Sequence, residues 1–174
     1  WEQAYSVSGG YKRSDGGTEN SDFEKGQGYA NLSLSYDRRI DIGAQLGIAT
    51  QSYGANTFYS AKFNNQYEKT DHGIASLNVS VHNQDRTWEV TPAVYYNKFK
   101  DHYQLTRGKE GAAAGENYHN LDVFGGAVNA YVDWIAGKTA VGVDIGKERI
   151  YSTALGNDRD RKSGSAGMPR PISY

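Results

Sequence analysis

The chain has 174 residues and a formal net charge of -1, with Lys and Arg scattered along it; the length fits one domain and the charge gives no nucleic-acid footprint. Hydrophobic residues make up only 37%, while 14 Tyr, 5 Phe and 3 Trp raise the aromatic share to 13%, which is thin for a compact core yet too aromatic for a disordered chain. Without cysteine there is no disulfide framework or thiol chemistry, and no apolar run approaches the roughly 20 residues of a membrane helix; a helical membrane protein is excluded and a membrane β-barrel is not.

Period-two alternation predicts strands in chain order. A first strand falls near 4–13. In "YANLSLSY" (29–36), Ala30, Leu32, Leu34 and Tyr36 oppose Asn31, Ser33 and Ser35. "IDIGAQLGIAT" sets Ile42, Ala44, Leu46 and Ile48 against Asp41, Gly43, Gln45 and Gly47. "GIASLNVSV" sets Ala75, Leu77, Val79 and Val81 against Ser76, Asn78 and Ser80, and "WEVTPAVYY" sets Trp88, Val90 and Val94 against Glu89, Thr91 and Ala93. Residues 118–133 alternate less cleanly. "TAVGVDIG" then opposes Val141, Val143 and Ile145 to Gly142, Asp144 and Gly146. The total is about seven strands.

The connections sort into two classes that alternate strictly: long ones at 14–27, 53–66, 105–117 and from 153 onward, short ones at 37–40, 82–87 and 134–138. Antiparallel strands with long loops at one end and tight turns at the other are the pattern of an outer-membrane barrel. Aromatics support it. Trp1, Tyr36, Trp88 and Trp134 lie beside short turns on the apolar parity. Tyr11, Tyr29, Tyr53, Tyr67, Tyr96, Tyr103 and Tyr118 gather toward the long loops, as two interfacial girdles would require. The opposite parity then faces the lumen, with Gln45, Asn78, Glu89, Asn129, Asp144 and Glu148 on it, and Gln51, Ser76 and Ser80 beside them.

Catalytic and metal chemistry finds little footing. Asp71-His72 and Asp101-His102 are adjacent strand residues that point to opposite faces, so neither makes an in-strand dyad. His82 and His119 have no partner at metal-ligand spacing. Asp144 and Glu148 share a face, where water or packed protein is the expected neighbour. The sequons "NLS" and "NVS" lie inside strands. The expectation is no enzyme, no cofactor and no metal.

Several segments resemble successive barrel strands of TonB-dependent outer-membrane receptors, closest to the vitamin B12 (cobalamin) transporter branch: "SYGANTFYSAKFNNQYEKT", "WEVTPAVYYNKFKDHYQLTR", "NYHNLDVFGGAVNA" and "GKTAVGVDIGKERIYSTALG". The resemblance covers about 28–156. It implies an all-β fold, an antiparallel transmembrane β-barrel portion contributing about seven strands to a larger 22-stranded barrel. Residues 1–174 would be part of one barrel domain, without the family's plug domain, coupling box or terminal barrel-closing strand. It implies a bacterial outer-membrane location in contact with the lipid bilayer, and energy-coupled import of a small-molecule ligand such as cobalamin. It further implies the TonB coupling protein as a partner through a missing N-terminal part and, in some relatives, a surface lipoprotein. Nucleic acid is not expected. Candidate ligand contacts are Tyr53, Asn56, Phe58 and Tyr59 in one extracellular segment and Asn117 and Tyr118 in another, aromatic and amide groups suited to a rigid, amide-rimmed ligand. Three alternatives stay open: a receptor for a siderophore or other nutrient, a small closed barrel with a structural or adhesive role, and an outer-membrane barrel enzyme.

Overall fold

In the structure, a computed structural model, residues 1–153 and 156–167 are described, with side chains for 1–153. The strands are β1 (Glu2–Ser14), β2 (Phe23–Tyr36), β3 (Ile40–Asn56), β4 (Gln66–His82), β5 (Trp88–Gln104), β6 (Glu116–Trp134), β7 (Gly137–Ser152) and β8 (Gly156–Gly167). They form one sheet in sequence order, each strand antiparallel to the next. The sheet is open: among the described residues β1 pairs only with β2 and β8 only with β7.

Two sequence expectations need correction. The strand count is eight rather than seven, because residues read as a long loop from 153 onward include β8. With β8 starting at Gly156, the connection after β7 spans only 153–155, so the strict alternation of long and short connections stops there. "GNDRDRKSGSAG" has no apolar alternation; its pairing is backbone hydrogen bonding, which hydropathy does not report. The other long connections are shorter than expected, because β2 begins at Phe23 and β3 runs on to Asn56.

Turn chemistry closes the opposite end. Asp37 and Arg38 both have positive φ, at 51° and 49°, and the Arg39 N–H donates to the Tyr36 carbonyl at 3.1 Å, a type I′ hairpin matched to strand twist. In the β4–β5 turn the Asn83 side chain accepts from the Thr87 and Trp88 N–H groups at 2.8 and 3.3 Å. Pro92 has no N–H, and the β4–β5 ladder lapses between the pairs Asn78–Ala93 and Val81–Val90. The Ser80 and Thr91 hydroxyls bond at that gap, 2.8 Å apart.

Directly opposed residues share a face, so the register assigns both faces across the sheet. Tyr5, Leu32, Ala44, Leu77, Val94, Gly126 and Ile145 form one row. The neighbouring row on the other face is Ala4, Ser33, Gly43, Asn78, Ala93, Ala127 and Asp144. Gln45, Glu89, Asn129 and Glu148 fall on this second, polar face with Asn78 and Asp144. Its glycines let polar side chains lie flat across a neighbouring strand. A Cβ on Gly43 would sit 2.5 Å from the Asn78 Oδ1, and one on Gly125 would sit 2.3 Å from the Tyr95 ring, which crosses that space to donate to Asp144 at 3.0 Å.

The apolar face is uncovered. Ile48 is 71% exposed and Leu46 59%, and Ala55 is the one buried hydrophobic residue among those described. Along β5 this face runs from Trp88 to Tyr96, about 26 Å at roughly 3.3 Å per residue. Beyond Tyr96 the next row turns charged, with Lys98, Asp122 and Arg149. The aromatics at the loop end divide: Tyr11, Tyr67, Tyr96 and Tyr118 share the apolar parity, whereas Tyr29, Tyr53 and Tyr103 lie on the polar face and cannot belong to an outer girdle. A contiguous apolar face of this extent on a one-layer sheet needs an apolar covering.

Candidate ligand-contact site at the loop end

Two adjacent rows of the polar face meet at the long-loop end. One is Tyr53, Glu68, Tyr103 and Asn117; the other is Gln51, Thr70, Asp101, His119 and Ser152. With Tyr59 from the β3–β4 connection, six of these side chains line a cavity of about 350 Å³: Tyr59, Glu68, Asp101, Tyr103, Asn117 and His119.

Glu68 organises the site. Its Oε2 accepts from the Tyr53 hydroxyl at 2.5 Å and from the Tyr59 hydroxyl, and the two phenols are 3.0 Å apart. Burial, then the Glu68 carboxylate, pushes both phenols above the ordinary tyrosine range, so both stay protonated donors. Tyr59 packs edge-on against Tyr103, with centroids 5.5 Å apart, and against Phe58 at 4.9 Å. Asp101 has a buried Oδ1 with no hydrogen-bond partner, and burial followed by the nearby Glu68 charge raises its carboxyl above the usual range. The His119 Nδ1 lies 2.7 Å from the Ser152 hydroxyl. Among the described residues, no Lys or Arg lines the cavity.

A buried amide holds the loop in place. Gln66 is 0% exposed. Its Nε2 lies 3.0, 3.1 and 2.8 Å from the carbonyls of Asn56, Ser60 and Phe63, three acceptors sharing two protons, and its Oε1 accepts from the Tyr103 hydroxyl at 2.7 Å. Asn20, in the β1–β2 connection with φ of 52°, donates to the Gln66 carbonyl at 2.6 Å. From the β5–β6 connection, Arg107 makes a two-pronged contact to Asp22 at 2.6 and 3.0 Å and lies over the Tyr67 ring at 4.7 Å. Three connections thus interlock at the long-loop end.

The six expected ligand contacts separate. Tyr59 and Asn117 line the cavity, and Tyr53 joins it through Glu68. Asn56 has positive φ, and its backbone anchors the loop, with its N–H donating to Asn20 at 3.0 Å. Phe58 is 81% exposed at the loop tip. Tyr118 does not join Asn117 at the cavity: it lies on the other face, stacked on His102 with centroids 4.3 Å apart, because neighbouring strand residues alternate sides. Glu68, Asp101, Tyr103, His119 and Gln66 were missed. The polar-face parity of Tyr53, carried across the register, would have found the first four.

Asp101 and His102 do face opposite ways, but cross-strand pairs form that an in-strand search overlooks. His102 Nε2 lies 2.7 Å from Glu116, and His82 Nε2 lies 3.1 Å from Asp41.

No family model, curated protein or solved structure matches the chain. The resemblance to TonB-dependent receptors rests on the quoted segments alone.

Glu116 generates a test of the outward cluster. Donation from the Gly111 N–H at 2.7 Å, then from Tyr118 and His102, lowers its carboxyl from 4.5 to about 2. A depressed acid stabilises the fold above its unfolded value and loses that contribution as pH falls through its folded value. Acid unfolding of the full-length protein should therefore lose order around the β5–β6 connection between about pH 4.5 and 2. Glu116→Gln should flatten that part of the profile when protease cleavage at this connection is followed against pH.

Proposed function

We propose that the chain is part of an outer-membrane β-barrel that imports a bulky ligand carrying hydrogen-bond donors, a corrinoid such as cobalamin. The observation that carries the reading is a pairing of features. An uncovered apolar face is bounded by aromatic and charged rows, while a carboxylate-lined cavity sits on the opposite face at the long-loop end. Lipid would cover the first, and ligand arriving from outside would meet the second. Glu68 and Asp101 offer acceptors and the described lining side chains include no Lys or Arg, which favours a ligand bearing amide N–H or hydroxyl groups over an anionic ferric siderophore. The aromatic rings of Tyr59 and Tyr103 supply flat contact for a rigid ring system. In this reading the receptor performs no covalent chemistry. The resemblance adds a coupling protein on the inner side and a surface lipoprotein as partners.

The eight strands favour a second reading, a small closed barrel, since single-chain bacterial barrels have even strand numbers. Against it stands a polar face rich in Gly, Ser and Ala, because a small barrel fills its interior with side chains. A heat-modifiable monomer of these 174 residues alone would favour the small barrel. The larger-barrel reading expects aggregation, driven by two unpaired edges.

Two substitutions test the faces. Leu77→Arg should cost about 2–4 kcal/mol at mid-membrane and Asn78→Arg far less, read from reversible unfolding of the full-length barrel in lipid. Equal losses would overturn the assignment of the apolar face to lipid. For the ligand, replacing Tyr53, Phe58 and Tyr59 together by Ala should weaken cobalamin binding at least about tenfold, or roughly 1.4 kcal/mol, with heat-modifiable migration retained. Unaltered affinity in an intact barrel would remove this segment from the site.

A further inference from the structure

Where the apolar face ends, a second cavity opens on the outward side of β2–β5. It measures about 620 Å³, and its outward lining includes Gly26, Gly28, Ile48, Gly73, Lys98 and Lys100. The floor is bare. A Cβ on Gly73 would meet nothing within 4 Å, and the nearest atoms to those on Gly26 and Gly28 would be Thr50 and Ile48 side-chain carbons at 3.6 and 3.5 Å. Ile48 joins this floor to the apolar band below. Two cations and the Asp71 carboxylate stand at its rim, Asp71 directly opposite Lys100. Lys98 and Lys100 both take the outward parity on β5, one and two rows above the aromatic Tyr96. Asp122 accepts from the Tyr96 hydroxyl at 2.5 Å and pairs with Lys98 at 3.5 Å, and Asp71 accepts from Thr50 at 2.6 Å. Lys100 is exposed and has no ion pair among the described residues.

We propose that this groove holds an acyl chain of an outer-leaflet lipid, with Lys98 and Lys100 binding its phosphate. An apolar trough that opens onto a membrane face and ends under two lysines matches an amphiphile with a tail below and an anion above. A free phosphate would use the lysines and leave the trough without purpose. The inference rests on the barrel reading, since the trough meets lipid only if the apolar face does.

The test uses the full-length protein, purified in a nonionic detergent and stripped of lipid. Binding of bis-phosphorylated lipid A, of its dephosphorylated form and of inorganic phosphate is read by native mass spectrometry. Heat-modifiable migration is read on the same samples. Lys98→Gln with Lys100→Gln should lower the affinity for bis-phosphorylated lipid A at least fivefold. Gly73→Leu, which fills open space, should lower it at least threefold, and both variants should keep heat-modifiable migration. Equal affinity for the phosphorylated and dephosphorylated lipids would overturn the proposal, as would unchanged affinity in the lysine variant or inorganic phosphate held as tightly as the lipid. Loss of heat-modifiable migration in the unaltered protein would instead overturn the barrel reading beneath it.

Discussion

In an antiparallel meander, opposed residues share a face, and a slip of one residue would exchange the two faces entirely. Every property of this molecule passes through that register. It gathers Leu32, Leu77, Val94 and Ile145 into one stripe and Ser33, Asn78 and Asp144 into its neighbour on the reverse side. A one-layer sheet cannot bury either stripe against itself, and Ala55 is all the hydrophobic core that the described residues provide. Backbone hydrogen bonds hold the strands together, but what covers the faces decides whether the sheet persists. The asymmetry of the faces therefore says more about surroundings than about internal stability.

The two faces change roles toward the long loops. In β6 the outward positions are apolar from Phe124 to Val132, whereas Asn120 and Asp122 above them are polar and the inward Leu121 and Val123 are apolar. Inward on neighbouring strands, Phe99 opposes Leu121 and Leu121 opposes Ile150. Above the band the outward face turns polar and carries the Glu116, His102 and Tyr118 cluster under the β5–β6 connection, while the reverse face holds the β3–β4 connection through Gln66. Those connections lack a core, and polar groups lock them instead: Gln66 under its loop, Asn20 bridging to it, and Arg107 clasping Asp22. A buried amide left half-satisfied would cost about 1–3 kcal/mol, so the Gln66 cluster forms completely or the loop comes away.

This reversal sets what could be read in advance. Strands with one solvated and one apolar face declared themselves by period two, and so did their parity: the polar set Gln45, Asn78, Glu89, Asn129, Asp144 and Glu148 shares one face. Residues 118–133 read poorly because the apolar phase switches sides within the strand. β8 was illegible, since "GNDRDRKSGSAG" carries no apolar alternation. At the site, Tyr53, Tyr59 and Asn117 were reachable from composition, but Tyr118 was grouped with Asn117 by adjacency, which in a strand means opposite sides. Glu68, Asp101 and His119 become neighbours only through pairings between strands distant in sequence, and no single segment records those.

The geometry of Glu68 links ligand contact to the loop. Its Oε2 already serves two phenols, one from strand β3 and one from the connection above. A ligand donor arriving at that oxygen must compete with them. Tyr53 sits within the ladder, opposite Glu68, and has little freedom to leave. Tyr59 is held by that one hydrogen bond, a phenol contact and two edge-on aromatic contacts, so it yields first. Its departure would carry Phe58 at the exposed tip with it, while the Gln66 amide keeps the base of the loop on the carbonyls of Asn56, Ser60 and Phe63. In the proposed reading, contact at the carboxylate would move the tip and spare the base, because the acceptor that a ligand would use is the same one that pins the loop.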